Sequence, residues 1–209
     1  MAGPDDDPRR FVALNCTLKA GSDASSTDVL LDAITGELET LGYVGDTVRV
    51  VDRGISHGVT ADEGAGDGWP PIRRQILDAH ILVLGTPIWL GHPASPAQQV
   101  LERLDAFLGE TDDRGQLTTV DRVALVAVVG NEDGAHHVGA ELFQGLNDVG
   151  FTIPAGGMAY WVGEAFGSTD LKDLDAIPEA TMTQARTAAT NAAHLVSRLV
   201  GDGRYPSVG

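Results

Sequence analysis

Ile81-Leu82-Val83-Leu84-Gly85-Thr86-Pro87-Ile88-Trp89-Leu90-Gly91 decides how the rest of the chain is read. Four apolar residues in a row, with no polar alternation, describe a strand covered on both faces, as in parallel sheets flanked by helices. The strand runs straight into a turn that Pro87 stiffens and to which Trp89 adds a large planar face. Ser95-Pro96 then opens a helix with Val100, Leu101, Leu104, Phe107 and Leu108 on one side. Serine is a good cap, and proline is tolerated in the first turn because its missing N–H has no partner there.

The same unit recurs in both directions. Upstream, Phe11 to Leu14 reads as a buried strand, followed by a polar loop from Asn15 to Ser25. Val29, Leu30, Ala33, Ile34, Leu38 and Leu41 then recur at helical spacing until Gly42 stops them. Thr47 to Val51 reads as a second strand, and Ile72, Ile76 and Ala79 as a short helix. Downstream, Val123 to Val129 is the longest β-branched run and predicts a fourth strand at the sheet centre. Ala135 to Val149 reads as a helix, Phe151-Thr152-Ile153 as a short fifth strand, and 179–200 as a last helix carrying Met182, Ala185, Ala189, Val196 and Leu199. Five strand–helix repeats predict one α/β domain, a parallel sheet with helices on both faces. Its expected span is 11–201, with a disordered acidic tail at 1–10 and a flexible tail at 202–209. The connections 52–69 and 156–176 exceed ordinary turns, so they are expected to be functional or mobile. They carry Trp69 and, in the second, Tyr160, Trp161 and Phe166.

Of the 209 residues 43% are hydrophobic, an ordinary globular fraction. Acidic residues outnumber basic ones 30 to 14, a net charge of −16, and Lys19 and Lys172 are the sole lysines. Such a surface repels nucleic acid and anionic membrane; it serves solubility or docking to a basic redox partner. Cys16 has no second cysteine to pair with. No apolar run is long enough for a membrane span, and Met1 to Arg10 lacks the apolar core of a signal peptide. A reducing cytoplasm is the expected location.

In a doubly wound sheet, ligands bind beyond the carboxyl ends of the strands, where strand order reverses. The loop Asn15 to Thr27 packs hydroxyls, a glycine and Lys19 into the start of a helix, a natural anion site. It suits equally a plain cap, Ser25 with Asp28 completing a capping box. Thr86 to Pro96 offers Trp89 either to a flat ligand or to the core. Gly130-Asn131-Glu132-Asp133-Gly134 again combines glycines, which allow close backbone approach, with hydrogen-bonding side chains; Asp133 could equally be a helix cap. The chain has no G-x-x-x-x-G-K-[ST], and its first loop has no G-x-G-x-x-G, so triphosphate and Rossmann-type dinucleotide sites are disfavoured. A monophosphate remains.

Together these three segments resemble the NAD(P)H-dependent FMN reductase branch of the flavodoxin-like superfamily, in order, from Phe11 to about Val200. Thr17, Lys19, Ser25 and Thr27, with Ser26 adjacent, take the places of the family's phosphate loop. Thr86 to Gly91 looks like its T-P-[I/E]-[Y/W]-x-G turn around the isoalloxazine ring, and Gly130 to Gly134 takes the place of its third flavin loop. The resemblance implies an α/β flavodoxin-like three-layer sandwich with a five-stranded parallel sheet in the order 2-1-3-4-5. It implies FMN held by Thr17, Lys19, Ser25, Ser26, Thr27, by Pro87, Ile88, Trp89, Leu90, Gly91, and by Gly130, Asn131 and Gly134. Backbone N–H groups near Ile88 to Leu90 and at Asn131 would face the reduced ring, and Tyr160-Trp161 would line the substrate side. The implied activity passes hydride from NADPH or NADH through FMN to a small acceptor such as a quinone, free flavin, nitro or azo compound. It needs no catalytic side chain, and relatives are often homodimers. A flavodoxin-type electron carrier that docks to a redox partner is the alternative. Three features depart from the family: lysine stands where arginine, with its bidentate geometry, is commoner; the first loop is about two residues longer than usual, which leaves open whether Ser25 or Ser26 meets the phosphate; and Glu132 and Asp133 make the third loop acidic.

His136 and His137 sit side by side at a helix start, so they point different ways. No third ligand stands at metal spacing, and they read as surface residues with no metal site. Cys16 reads as a small buried filler rather than a redox-sensitive thiol.

Overall fold

The computed structural model describes residues 9–200 and 203–206. Its elements are β1 (Arg10–Asn15), α1 (Ser26–Thr40), β2 (Val44–Arg49), α2 (Trp69–Asp78), β3 (Ile81–Trp89), β4 (His92–Pro93), α3 (Ser95–Leu104), β5 (Val123–Gly130), α4 (Ala135–Asp148), β6 (Met158–Val162) and α5 (Glu179–Leu199). Five strands run parallel in the spatial order β2-β1-β3-β5-β6, and β4 turns back antiparallel on the end of β3. Counting the parallel strands alone, this is the expected 2-1-3-4-5 order.

Successive strand residues point to opposite faces. Val12, Leu14, Leu82, Leu84, Val126 and Val128 pack with α2, α3 and α4. Phe11, Ala13, Ile81, Val83, Leu125 and Ala127 pack with α1 and α5. With both faces covered, the strands need apolar residues at every position, which is why they read as unbroken runs.

The fifth parallel strand is not Phe151–Ile153. Thr152 makes one isolated bridge to Val123, and Pro154, which has no N–H for a ladder, follows at once. Pairing with β5 resumes at Met158, so the first part of the supposed 156–176 loop is β6. β2 begins at Val44, earlier than Thr47, because an edge strand with exposed Gly45 and Asp46 carries little apolar signal. α3 ends at Leu104 and tightens into a 3₁₀ turn, leaving Leu108 half exposed instead of on the buried face. The expected tails, 1–10 and 202–209, lie largely outside the described residues. Of the second, the Tyr205 hydroxyl lies 3.0 Å from Thr152 Oγ1, and Gln116 Nε2 donates to the Pro206 carbonyl at 2.5 Å.

The 52–69 connection is tied down from inside. Asp67 and Arg103 pair at 2.7 Å with both side chains fully buried. Asp67 also accepts from the amides of Ser56, Glu63 and Trp69 at 3.0–3.1 Å. Arg103 donates to the Ser56 carbonyl at 2.9 Å, and its guanidinium stands 5.7 Å from the Trp69 ring centroid. Burial alone would raise the Asp67 carboxyl; the three amides and Arg103 outweigh it and hold it at about 2.

This depressed value fixes the sign of the pH effect. The stabilisation is present above the ordinary aspartate value of 3.8 and is lost as pH falls through about 2. Asp67→Asn leaves Arg103 buried without a counter-charge and is expected to destabilise the fold by about 3–5 kcal/mol in urea unfolding. Adding Arg103→Met to Asp67→Asn removes the unpaired charge, while the asparagine keeps an acceptor oxygen for the amides of Ser56 and Trp69. The double variant should cost less than Asp67→Asn alone; equal losses would show that the pair is not the tie.

Candidate functional site

β1, β3 and β5 are neighbours in the sheet and end at Asn15, Trp89 and Gly130, so three loops leave the same edge side by side. In the first, Asn15 Oδ1 accepts from the Thr17 amide at 2.9 Å and Thr17 Oγ1 from the Lys19 amide at 3.3 Å. Ser25 caps α1, its side chain accepting from the Thr27 amide at 3.1 Å. Of the alternative reading of a plain cap, the Ser25 cap forms but the capping box with Asp28 does not. Asp28 accepts instead from Asn15 Nδ2 and from the Arg49 guanidinium. Arg49, at the end of β2, also donates to the carbonyls of Lys19 at 3.2 Å and Asp23 at 2.9 Å. Arg49 thus braces the loop through its carbonyl side, a role that nothing in its sequence neighbourhood announced. Lys19 Nζ donates to the Ala24 carbonyl at 3.0 Å.

The other lysine arrives from far along the chain. The Lys172 amide donates to Ser26 Oγ at 3.2 Å, and its ammonium reaches Asp173 at 2.7 Å and Asp170 at 3.3 Å. The hydrogen bond to Asp173, and then that to Asp170, raise its pKa. Both lysines of the chain therefore lie beside the start of α1.

The second loop is a two-residue hairpin tip. Trp89 and His92 pair across it, and Leu90 and Gly91 take φ of +53° and +78°, as a primed turn requires. Leucine in this region is strained, and Leu90 is 90% exposed. Trp89 is half exposed, so it is not core. The Leu90 amide, expected to face a ring, already donates to Glu132 Oε1 at 3.0 Å. Asn131, in the third loop, donates through Nδ2 to Asp170 at 2.8 Å, and its carbonyl accepts from the Phe166 amide at 3.1 Å. Asn131 Oδ1 is buried with no partner. Gly134, at φ +119°, caps α4; a Cβ there would lie 2.9 Å from the Gly91 Cα, so the second and third loops touch where neither carries a side chain.

These loops enclose a cleft of about 460 Å³, within the size range of small-molecule sites. Eleven of the thirteen expected residues line it: Thr17, Lys19, Ser25, Ser26, Thr27, Pro87, Ile88, Trp89, Leu90, Gly130 and Asn131. Gly91 and Gly134 line a neighbouring hollow with His136, His137 and Tyr160. Leu18, Val129, Glu132, Trp161, Phe166 and Asp170 complete the cleft and were not anticipated as a set. Trp161 and Tyr160 part company because they are adjacent on a strand: Trp161 enters the cleft, while Tyr160 lies edge-on to His136 at 5.1 Å. Phe166 is fully exposed at φ +61°. Cys16 is fully buried, and burial pushes its thiol pKa up, which leaves it unreactive.

A doubly wound sheet with a cleft where its order reverses defines a flavodoxin-like α/β protein. The profile of the NADPH-dependent FMN reductase family matches residues 10–167, and the chain belongs to that family. It is 39% identical over 168 residues to the divalent metal cation transporter MntH of Mycobacterium bovis, a match covering 78% of this chain and 25% of that one. It is 35% identical over 165 residues to the 8-demethyl-8-aminoriboflavin-5'-phosphate synthase of Streptomyces davaonensis, covering 75% of this chain and 64% of that one. The chain thus spans a quarter of the first relative and just under two thirds of the second. Among solved structures, RosB with its bound intermediate 8-demethyl-8-formylriboflavin-5'-phosphate superposes with a TM-score of 0.83 at 29% identity, covering 93% of this chain and 81% of that one. An NADH:FMN oxidoreductase superposes at 0.64 with 14% identity, covering 89% of each chain, a likeness of fold alone. Among the described residues, no helix is long and apolar enough to cross a membrane.

The bracing role of Arg49 can be tested on the loop itself. Charge-assisted hydrogen bonds contribute about 1.5–3 kcal/mol each, so Arg49→Ala is expected to speed amide exchange across residues 17–25 at least tenfold while the strands keep their protection. Unchanged exchange would mean that the loop's own turns suffice.

Proposed function

We propose that the cleft binds FMN and that the protein is an FMN-dependent oxidoreductase using NADPH or NADH to reduce a small acceptor such as a quinone, free flavin, nitro or azo compound. One observation carries this reading: a single cleft joins the hydroxyl-rich start of α1 to Trp89, Trp161 and Phe166 across three adjacent strand ends. Thr17, Ser25, Ser26 and Thr27 supply hydroxyls for a phosphate. The helix start and Lys19 supply positive potential, with Lys172 close by. The aromatic side chains offer flat apolar faces to a ring system.

Bound FMN would supply the two-electron chemistry, taking hydride from the nicotinamide and passing electrons to the acceptor. The chain itself binds and orients, and no side chain is assigned as acid or base. Thr17, Lys19, Ser25, Ser26 and Thr27 fix the phosphate end, while the Thr86–Gly91 turn and Asn131 set the ring. We take the protein to be one domain over 11–201, working as a cytoplasmic homodimer on small molecules, without nucleic acid or membrane.

A second reading rests on the 35% identity to a synthase named for a modified riboflavin phosphate: in this chain a flavin phosphate would then be reactant, not cofactor. An electron carrier is the third. Purified protein titrated with FMN, then given NADPH or NADH and a quinone, separates them. Sustained nicotinamide oxidation with FMN recovered at unchanged mass is expected. A flavin of altered mass supports the synthase-like reading; FMN binding without turnover supports the carrier.

Removing hydroxyls with Ser25→Ala and Thr27→Val together is expected to weaken FMN binding well over tenfold, each tenfold step being about 1.4 kcal/mol. The lost cap costs about 1 kcal/mol of stability, read separately by melting. Unchanged affinity would put the phosphate elsewhere. At the hairpin tip, Leu90→Gly should raise unfolding free energy by about 1 kcal/mol by relieving the left-handed leucine, yet weaken FMN several-fold. Equal affinity would remove the tip from the site.

A further inference from the structure

Beside the cleft, on the far side of the Leu90-Gly91 tip, His92, His137 and Glu141 converge, and we propose that they form a binding site for a divalent transition-metal ion of the zinc type. His92 Nδ1 lies 2.9 Å and His137 Nε2 2.7 Å from the same Glu141 oxygen, and the three donor atoms all fall within 4.8 Å of one another. Around tetrahedral zinc, with bonds of about 2.0–2.2 Å, donor atoms stand roughly 3.3–3.6 Å apart. The two short contacts open by less than about 1 Å to admit an ion, a change that side-chain torsions provide without backbone movement.

The three backbones are already placed. His137 and Glu141 are one turn apart on α4, so both project from the same face. His92 is held in β4 by its pairing with Trp89, and the hairpin tip is pressed against Gly134 at the start of α4. The fold thereby supplies the third ligand that sequence spacing did not show, reversing the expectation of no metal site. His136, the neighbour in sequence, turns away to Tyr160 and stays out of the cluster.

The donor set selects the ion. Two imidazoles and one carboxylate, with room for water at an open position, suit zinc, nickel, copper or iron and not calcium or magnesium, which prefer oxygen donors. His92 and His137 are about 60% exposed, and as surface ion pairs they would add little stability; an ion bridging all three replaces two weak contacts with coordinate bonds. The net charge of −16 raises the local concentration of divalent cations. Binding would clip the hairpin that carries Trp89 and Leu90 to α4. The site shares no residue with those assigned to FMN, so either proposal can fail alone.

The test is zinc titration of the untagged, flavin-free full chain against a chromophoric chelator near neutral pH. One ion per chain with micromolar affinity is expected, along with a melting temperature that rises with zinc. His92→Ala, His137→Ala and Glu141→Gln should each weaken binding at least tenfold, and His194→Ala, on the exposed surface of α5, should not. Cobalt in place of zinc should give visible d–d absorption in the wild-type chain that the three variants lose. Zinc binding that is absent, that equimolar magnesium displaces, or that all three variants retain at full strength would overturn the proposal.

Discussion

The Arg49–Asp28 bond is the constraint on which the candidate site depends. β1 and β2 pair in register, with Asn15 opposite Arg49, so the arginine leaves the edge strand directly behind the loop that β1 opens into. Asp28 lies in the first turn of α1, where the helix dipole favours a carboxylate, and it holds the guanidinium there. The arginine's other N–H groups take the carbonyls of Lys19 and Asp23. Carbonyls are drawn backwards, and the hydroxyls of Thr17 and Ser25 are left lining the cleft. An acidic chain thus keeps a cation at the rear of the loop proposed to hold a phosphate. Lys19 and Lys172 stand on its other flanks, partly offset by Asp170 and Asp173.

What was legible in the sequence follows from burial. β1, β3 and β5 are covered on both faces, and their unbroken apolar runs announced them. β2 and β6 lie at the sheet edges, where fewer positions must be apolar; their boundaries were misplaced, β6 by an entire segment. Trp161 was expected together with Tyr160 on the substrate side, and that error hid their separation, since residues assigned to a loop have no predictable faces. The hydroxyl-rich loop and the Thr-Pro-Ile-Trp turn were legible because their chemistry is local. Asp67 with Arg103, Arg49 with Asp28, and Leu90 with Glu132 were not, because each joins residues that only the fold brings together. Arg103 was the hardest to see: a charged residue inside an apolar helix face reads as solvent-facing until its partner is known.

The cleft and the neighbouring hollow meet at two glycines. Gly91 and Gly134 allow the second and third loops to touch, and that contact sets the position of the hairpin tip relative to α4. The Leu90 amide and the Glu132 carboxylate add a polar tie on the cleft side. The tip is therefore gripped from two directions, although its leucine is strained and nearly fully exposed.

β6 sends Trp161 into one cavity and Tyr160 into the other, from consecutive positions on a single strand. Lengthening or shortening the chain by one residue ahead of this pair would swap the two rings between compartments in a single step. These two rings are hence geared together: no one-residue shift of frame in β6 can move Trp161 and spare Tyr160.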